Sequence, residues 1–194
     1  MNYLSHFLLS SSAPDEIHLG NFLGDVINKK SADALPESIK KGIEFHRFVD
    51  HFTDNHELVL EGKRLLYPKF GKYSSVILDV YFDFVLIENW ELYAEYTVQE
   101  FMENCYQFID SQMPFVPAEA KNRVEAMNRA KWMNGYLSEQ GRLDLFRRLA
   151  KRAKFDKNFG EAVHIYAQKH EELKIIHREF FPILVENCSN WLSN

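Results

Sequence analysis

From Val76 to Ile87 the chain is apolar at every position except Asp79 and Asp83. A helix hydrophobic on all sides has no solvated face and lies inside a domain. The run is shorter than the roughly 20 apolar residues needed to cross a bilayer. It therefore predicts a buried central helix from about Ser74 through Trp90. Asp79 and Asp83 stand four residues apart, so they share one face of it. Two like charges in an oily interior oppose folding unless a divalent ion, an Arg or protonation meets them. The alternative is a pair of carboxylates tied into the structure by N–H groups or an Arg.

The same periodicity places the other elements. Tyr3–Ser10 reads as a short amphipathic helix carrying His6, broken by Ser11–Pro14. Gly20-Asn21-Phe22-Leu23-Gly24-Asp25 has two glycines four apart, which suit close backbone approach or a tight helix entry. It lacks the Gly-Lys-Ser/Thr ending of a phosphate loop. Asp25 reads as an acidic residue near a helix start, where the dipole favours it. Leu35-Pro36-Glu37-Ser38 opens a helix over Ile39–Asp54. Phe45, Phe48, Val49 and Phe52 form its core stripe; His46, Asp50 and Asp54 form a second stripe, with Arg47 alongside. On an isolated surface helix that second stripe is simply the solvated face. One His with two Asp also suits a hard or borderline divalent ion.

Further helices are expected over Leu58–Tyr67, ending at Pro68, over Val98–Ile109, and over Ala118–Trp132, ended by Gly135. Leu143–Phe155 reads as a basic helix, and Phe159–Leu192 as a long helical segment with a kink or break at Pro182. No strand-like alternation, repeat or low-complexity tract is evident. The expectation is an all-α fold of about seven to nine helices forming a single domain over residues 1–194.

Composition narrows the function classes. A chain of 194 residues with 16 Phe can build one real core. A net charge of −5 argues against a general nucleic-acid binder. Cys105 and Cys188 form no metal or redox spacing and suit a reducing cytosol, so a cytoplasmic protein is expected. The apolar N-terminus has no basic start and reads as a first helix rather than a signal peptide; no segment is expected to span a membrane. Between Arg142 and Lys157, seven Lys or Arg stand against two Asp. On an acidic protein that is a candidate dock for an acidic partner. His164, His170 and His177 share no spacing and read as surface or packing residues.

The chemistry-bearing side chains gather early: His6, Asp25, His46, Arg47, Asp50, Asp54, Asp79 and Asp83. A metal-dependent hydrolase needs carboxylate and imidazole ligands, an open position for water and a cation for phosphate, and this set could supply all three. The order and spacing of several motifs resemble the acyl carrier protein phosphodiesterase family. They are Met-Asn-Tyr-Leu-Ser-His at 1–6, Gly-Asn-Phe-Leu-Gly-Asp at 20–25, Gly-Ile-Glu-Phe-His-Arg-Phe-Val-Asp at 42–50, Phe-Thr-Asp at 52–54, Leu-Asp-Val-Tyr-Phe-Asp at 78–83, and Trp90. The resemblance covers the first half well, and the second half mainly in length and helical character.

That resemblance implies an all-helical fold similar to the His-Asp phosphohydrolases, without their adjacent His-Asp pair. It implies a manganese-dependent enzyme that hydrolyses phosphopantetheine from holo acyl carrier protein to leave the apo protein. On that reading His6, Asp25, His46 and Asp79 ligate Mn²⁺ or a similar ion, with Asp50 as a further ligand. Arg47 holds the phosphoryl oxygens or pairs with Asp50 or Asp54. Asp54 and Asp83 orient ligands or accept the water's proton. The docking surface for the acidic carrier is Leu143–Lys157, or Lys29-Lys30 with Lys40-Lys41. One departure is Phe84, where the family usually carries His. Two rivals are a phosphohydrolase of small substrates such as nucleotides, and a non-catalytic helical binding module, which Phe84 favours.

Overall fold

The apolar run forms helix α6, Ser74–Glu88, and its side chains from Ile77 to Leu86 are almost all withdrawn from solvent. The structure is a computed structural model and describes residues 1–153 and 159–193. Five helices precede α6: α1 (Tyr3–Leu9), α2 (Asp15–Leu23), α3 (Lys29–Asp33), α4 (Glu37–Asn55) and α5 (Glu57–Phe70). Four follow it: α7 (Val98–Gln112), α8 (Ala118–Arg129), α9 (Glu139–Arg152) and α10 (Ala162–Leu192). Short 3-10 turns join several of them, the longest being Trp132–Leu137. No strand occurs among the described residues, so the all-α expectation holds. The ten α-helices among the described residues exceed the seven to nine expected, partly because the five-residue α3 is too short to show a periodicity.

Helix α6 lies against α1, α5 and α10, and one continuous apolar cluster runs through all of them. Helices α2 and α4 cross at Gly20 and Gly42. A Cβ on Gly20 would sit 2.1 Å from the Ile39 carbonyl oxygen, and one on Gly42 would sit 2.3 Å from that of Ile17. No side chain fits there, so the close backbone approach expected of the Gly20/Gly24 pair is made by Gly20, with Gly42 as its partner.

Three helix ends differ from the sequence reading. Helix α5 continues past Pro68 to Phe70, and α10 runs through Pro182 without ending. Each proline removes one N–H, and packing of the flanking turns carries the helix over the gap. Helix α8 stops at Arg129, short of Gly135, and the chain turns through Lys131 in the left-handed conformation (φ 47°). Of the predicted basic helix, α9 supplies residues up to Arg152; residues 154–157 lie outside the described residues. Among the described residues no helix is long and apolar enough to cross a membrane.

Candidate metal centre

The site begins with the two carboxylates of α6, which have different partners. Asp83 is wholly buried and accepts from Leu4 N (3.0 Å), Ser5 N (3.1 Å) and Ser5 Oγ (2.6 Å). Those amides belong to the first turn of α1 and have no partner within their own helix. Asp83 thus caps α1 from another element and fixes where that helix presents His6. Burial pushes its carboxyl up to about 6 despite the bonds from Ser5 and Leu4. Its oxygens are occupied, and it does not line the site cavity. Of the two roles expected of it, orienting a ligand or accepting the water's proton, this geometry fits the first. Asp79 does line the cavity; its Oδ1 lies 3.2 Å from the Met1 α-ammonium, yet accepts no hydrogen bond.

Four residues apart on α4, His46 and Asp50 face the same way. His46 Nε2 lies 3.1 Å from Asp50 Oδ2. From α1, His6 Nε2 reaches Asp50 Oδ1, also at 3.1 Å. The two imidazoles stack with centroids 4.1 Å apart. One ring nitrogen of each His and one Asp50 oxygen all lie within 4.8 Å of one another, the only such group of three or more His, Cys, Asp or Glu among the described residues. Asp25 Oδ1 stands 3.5 Å from His46 Nε2.

Asp25 follows Gly24, the C-terminal cap of α2, and so lies past a helix end rather than near a start. The dipole there disfavours a carboxylate, and it is the His46 imidazole that holds it. Gly24 is what admits that ring, since a Cβ there would lie 2.3 Å from His46 Cγ.

Electrostatics follow from these contacts. Burial alone would discharge His46, but hydrogen bonds to Asp25 and Asp50 outweigh it and raise the ring to about 9. Burial and then the charge of His46 push His6 down. Asp50 resists burial through its bonds to His46 and His6 and is pulled far below the usual carboxylate range. Burial drives Asp79 up. For the Met1 ammonium, Asp79 and Asp50 together overcome burial and raise it to about 10. Two nitrogens and several oxygens of this kind suit a borderline or hard divalent ion rather than a soft one.

Through Asp50 the group borders a cavity of about 930 Å³. Asp25, Asp50, Asp54 and Asp79 line one part of it, with Val76 and Val80 of α6. Other lining residues come from α8, the Trp132–Leu137 turn and α9: Met127, Trp132, Leu145 and Leu149 are apolar, while Arg123, Lys131 and Arg148 are cationic. Lys131 is paired with Glu103, and Arg123 donates to the Val26 carbonyl at 3.3 Å.

Two expected participants stand apart from the metal-binding group. Arg47 is exposed and does not line the cavity, because one step along α4 turns it about 100° from His46. Asp54 lines the cavity but is exposed and bound to Lys63 at 2.7 Å. Phe84 points into the core against Tyr136, Phe146 and Tyr166, with the Arg142 guanidinium 4.4 Å from its ring centroid. A His at position 84 would enter that core and not the metal-binding group.

The sequence reading missed Asn21. It is buried between α1 and the site, with Oδ1 2.9 Å from His6 Nδ1 and Nδ2 2.7 Å from the His6 carbonyl. A polar residue set directly before Phe22 and Leu23 was the available signal. Arg123 carried none, and Arg148 was legible only as part of the basic segment, since tertiary packing alone brings their helices to the cavity.

An all-helical scaffold that gathers two imidazoles around a carboxylate on the wall of one cavity defines a candidate divalent-cation centre. The chain belongs to the acyl carrier protein phosphodiesterase family, which it matches over residues 1–184. It is 23% identical to the acyl carrier protein phosphodiesterase of Photorhabdus laumondii over 191 residues, covering 98% of this chain and 96% of that one. It is 26% identical to the Yersinia pestis protein of the same name over 195 residues, covering 98% of each. An Escherichia coli O139:H28 relative of that name is 26% identical over 161 residues, covering 76% of this chain and 83% of its own. No solved structure matches this chain significantly.

Proposed function

We propose that this protein is a metal-dependent phosphodiesterase, folded as a single domain, that removes phosphopantetheine from holo acyl carrier protein. The observation that carries this reading is the convergence of His6 Nε2 and His46 Nε2 on the carboxylate of Asp50, which lines the cavity. These three would hold the ion, Mn²⁺ by family resemblance, with Asp25 and Asp79 as further carboxylates on the same cavity. When bound, a divalent ion supplies a water ionised near neutral pH and positive charge for the phosphoryl oxygens.

The chain's own groups do the rest. Water oxygen bonds to phosphorus, the bond from phosphorus to the serine oxygen breaks, and phosphopantetheine leaves as a monoester. The Asp79 carboxylate, on the cavity wall, takes the proton of the attacking water, and the serine oxygen ends protonated. Arg123 and Arg148 replace Arg47 as the phosphate-side cations, because they and not Arg47 face the cavity. The apolar residues of α8 and α9 receive the pantetheine arm. Arg148 also selects among the basic segments: α9 borders the cavity and is the docking edge for an acidic carrier.

The test is to incubate the protein with holo carrier and Mn²⁺ and weigh the carrier. Loss of the phosphopantetheine mass, blocked by chelation, is expected. An unchanged carrier alongside turnover of small phosphodiesters would favour the small-substrate rival instead.

A further inference from the structure

The Asn21 amide has only one orientation available. The atom 2.7 Å from the His6 carbonyl oxygen must be a donor, because a carbonyl can only accept, so it is Nδ2. The same Nδ2 lies 2.8 Å from Ser10 Oγ, which itself donates to the His6 carbonyl at 3.0 Å. Oδ1 is then the atom facing His6 Nδ1 at 2.9 Å, and an amide oxygen cannot donate. His6 Nδ1 must supply the hydrogen. In the neutral ring the other nitrogen, Nε2, is therefore bare, and it points at an Asp50 oxygen 3.1 Å away. Two acceptors at that distance repel unless a positive charge lies between them.

We infer that Asn21 is a positioning residue that locks His6 in the Nδ1–H form and so keeps Nε2 available to a cation shared with Asp50. Asn21 touches neither the cavity nor the other site side chains; it acts only through His6. Its amide replaces the carboxylate or main-chain carbonyl that usually fixes a ligating imidazole. A neutral partner orients the ring without adding a negative charge to a region that already holds Asp25, Asp50 and Asp79. The inference rests on the proposed metal centre for what the bare nitrogen is used for, but not for the tautomer itself.

The experiment is long-range ¹H–¹⁵N correlation on the metal-free protein, at a pH high enough for the His6 ring to be neutral. A protonated Nδ1 and an unprotonated Nε2 are expected. An Nε2–H ring with bare Nδ1 would overturn the inference. Asn21→Leu should release the tautomer and weaken Mn²⁺ binding, read by calorimetry, by about 10- to 100-fold. Should Asn21→Leu fold and keep both the tautomer and the wild-type affinity, the inference fails. Should it not fold, the wild-type spectrum still decides. Failure of the wild-type protein to bind Mn²⁺ would instead sink the proposed function, with the tautomer decided separately by the spectrum.

Discussion

Gly24 and the imidazole of His46 occupy the same small space: a Cβ at residue 24 would lie 2.3 Å from His46 Cγ. Gly24 is right-handed helical (φ −50°, ψ −38°), so its backbone does not require glycine. Replacing such a residue by Ala ordinarily stabilises a protein by about 0.4–1 kcal/mol. Here Gly24→Ala should do the reverse, displacing His46 from Asp50 and Asp25. Mn²⁺ affinity, read by calorimetry, should fall by at least about tenfold. An unchanged affinity would mean that the ring position is not critical.

Asp83→Ala should destabilise the fold by about 1–3 kcal/mol, because two buried amides of α1 lose their acceptor. For a chain of this size that is a Tm drop of about 2–4 °C per kcal/mol, read by calorimetric melting. Asp83→Asn retains one acceptor and should fall between. A melting curve unmoved by Asp83→Ala would show that α1 is held by packing alone.

His46 gives the metal-free protein a defined pH response. Its folded-state value of about 9 exceeds the unfolded 6.5. The stability it contributes is fully present below 6.5 and is lost as pH rises through 9. A metal must displace that proton, so Mn²⁺ affinity should rise by about tenfold per pH unit between these limits. Calorimetric titrations at several pH values check this. A flat affinity would place the ion away from His46.

Arg148→Ala should lower kcat/KM on holo carrier by at least about tenfold, whereas Arg47→Ala should leave it within about twofold. Measuring both variants at the same salt concentration separates them. Equal losses would return the phosphate contact to α4.

Helical spacing made part of this site legible. His46 and Asp50 share a face by the four-residue rule, and the buried run marked Asp79 and Asp83 as carboxylates needing partners. Spacing could not tell those two apart, because Asp83's partners lie 78 and 79 residues away on α1. Arg47 looked like a site residue by adjacency, but adjacency on a helix is a turn of about 100°. Asp25 was placed near a helix start because the weakly amphipathic α2 shows no clear stripe, with Gly20 and a buried Asn near its end and Gly24 as its cap. Arg123 and Arg148 depend on how α8 and α9 pack, which no local pattern encodes.

The central claim is that His6, His46 and Asp50 together hold a divalent ion, and Mn²⁺ titration of the metal-free protein followed by calorimetry tests it most directly. The account predicts a single site per chain, abolished separately by His6→Ala, His46→Ala and Asp50→Ala in variants that still fold. No binding by the wild-type protein, or binding that survives all three substitutions, would contradict it.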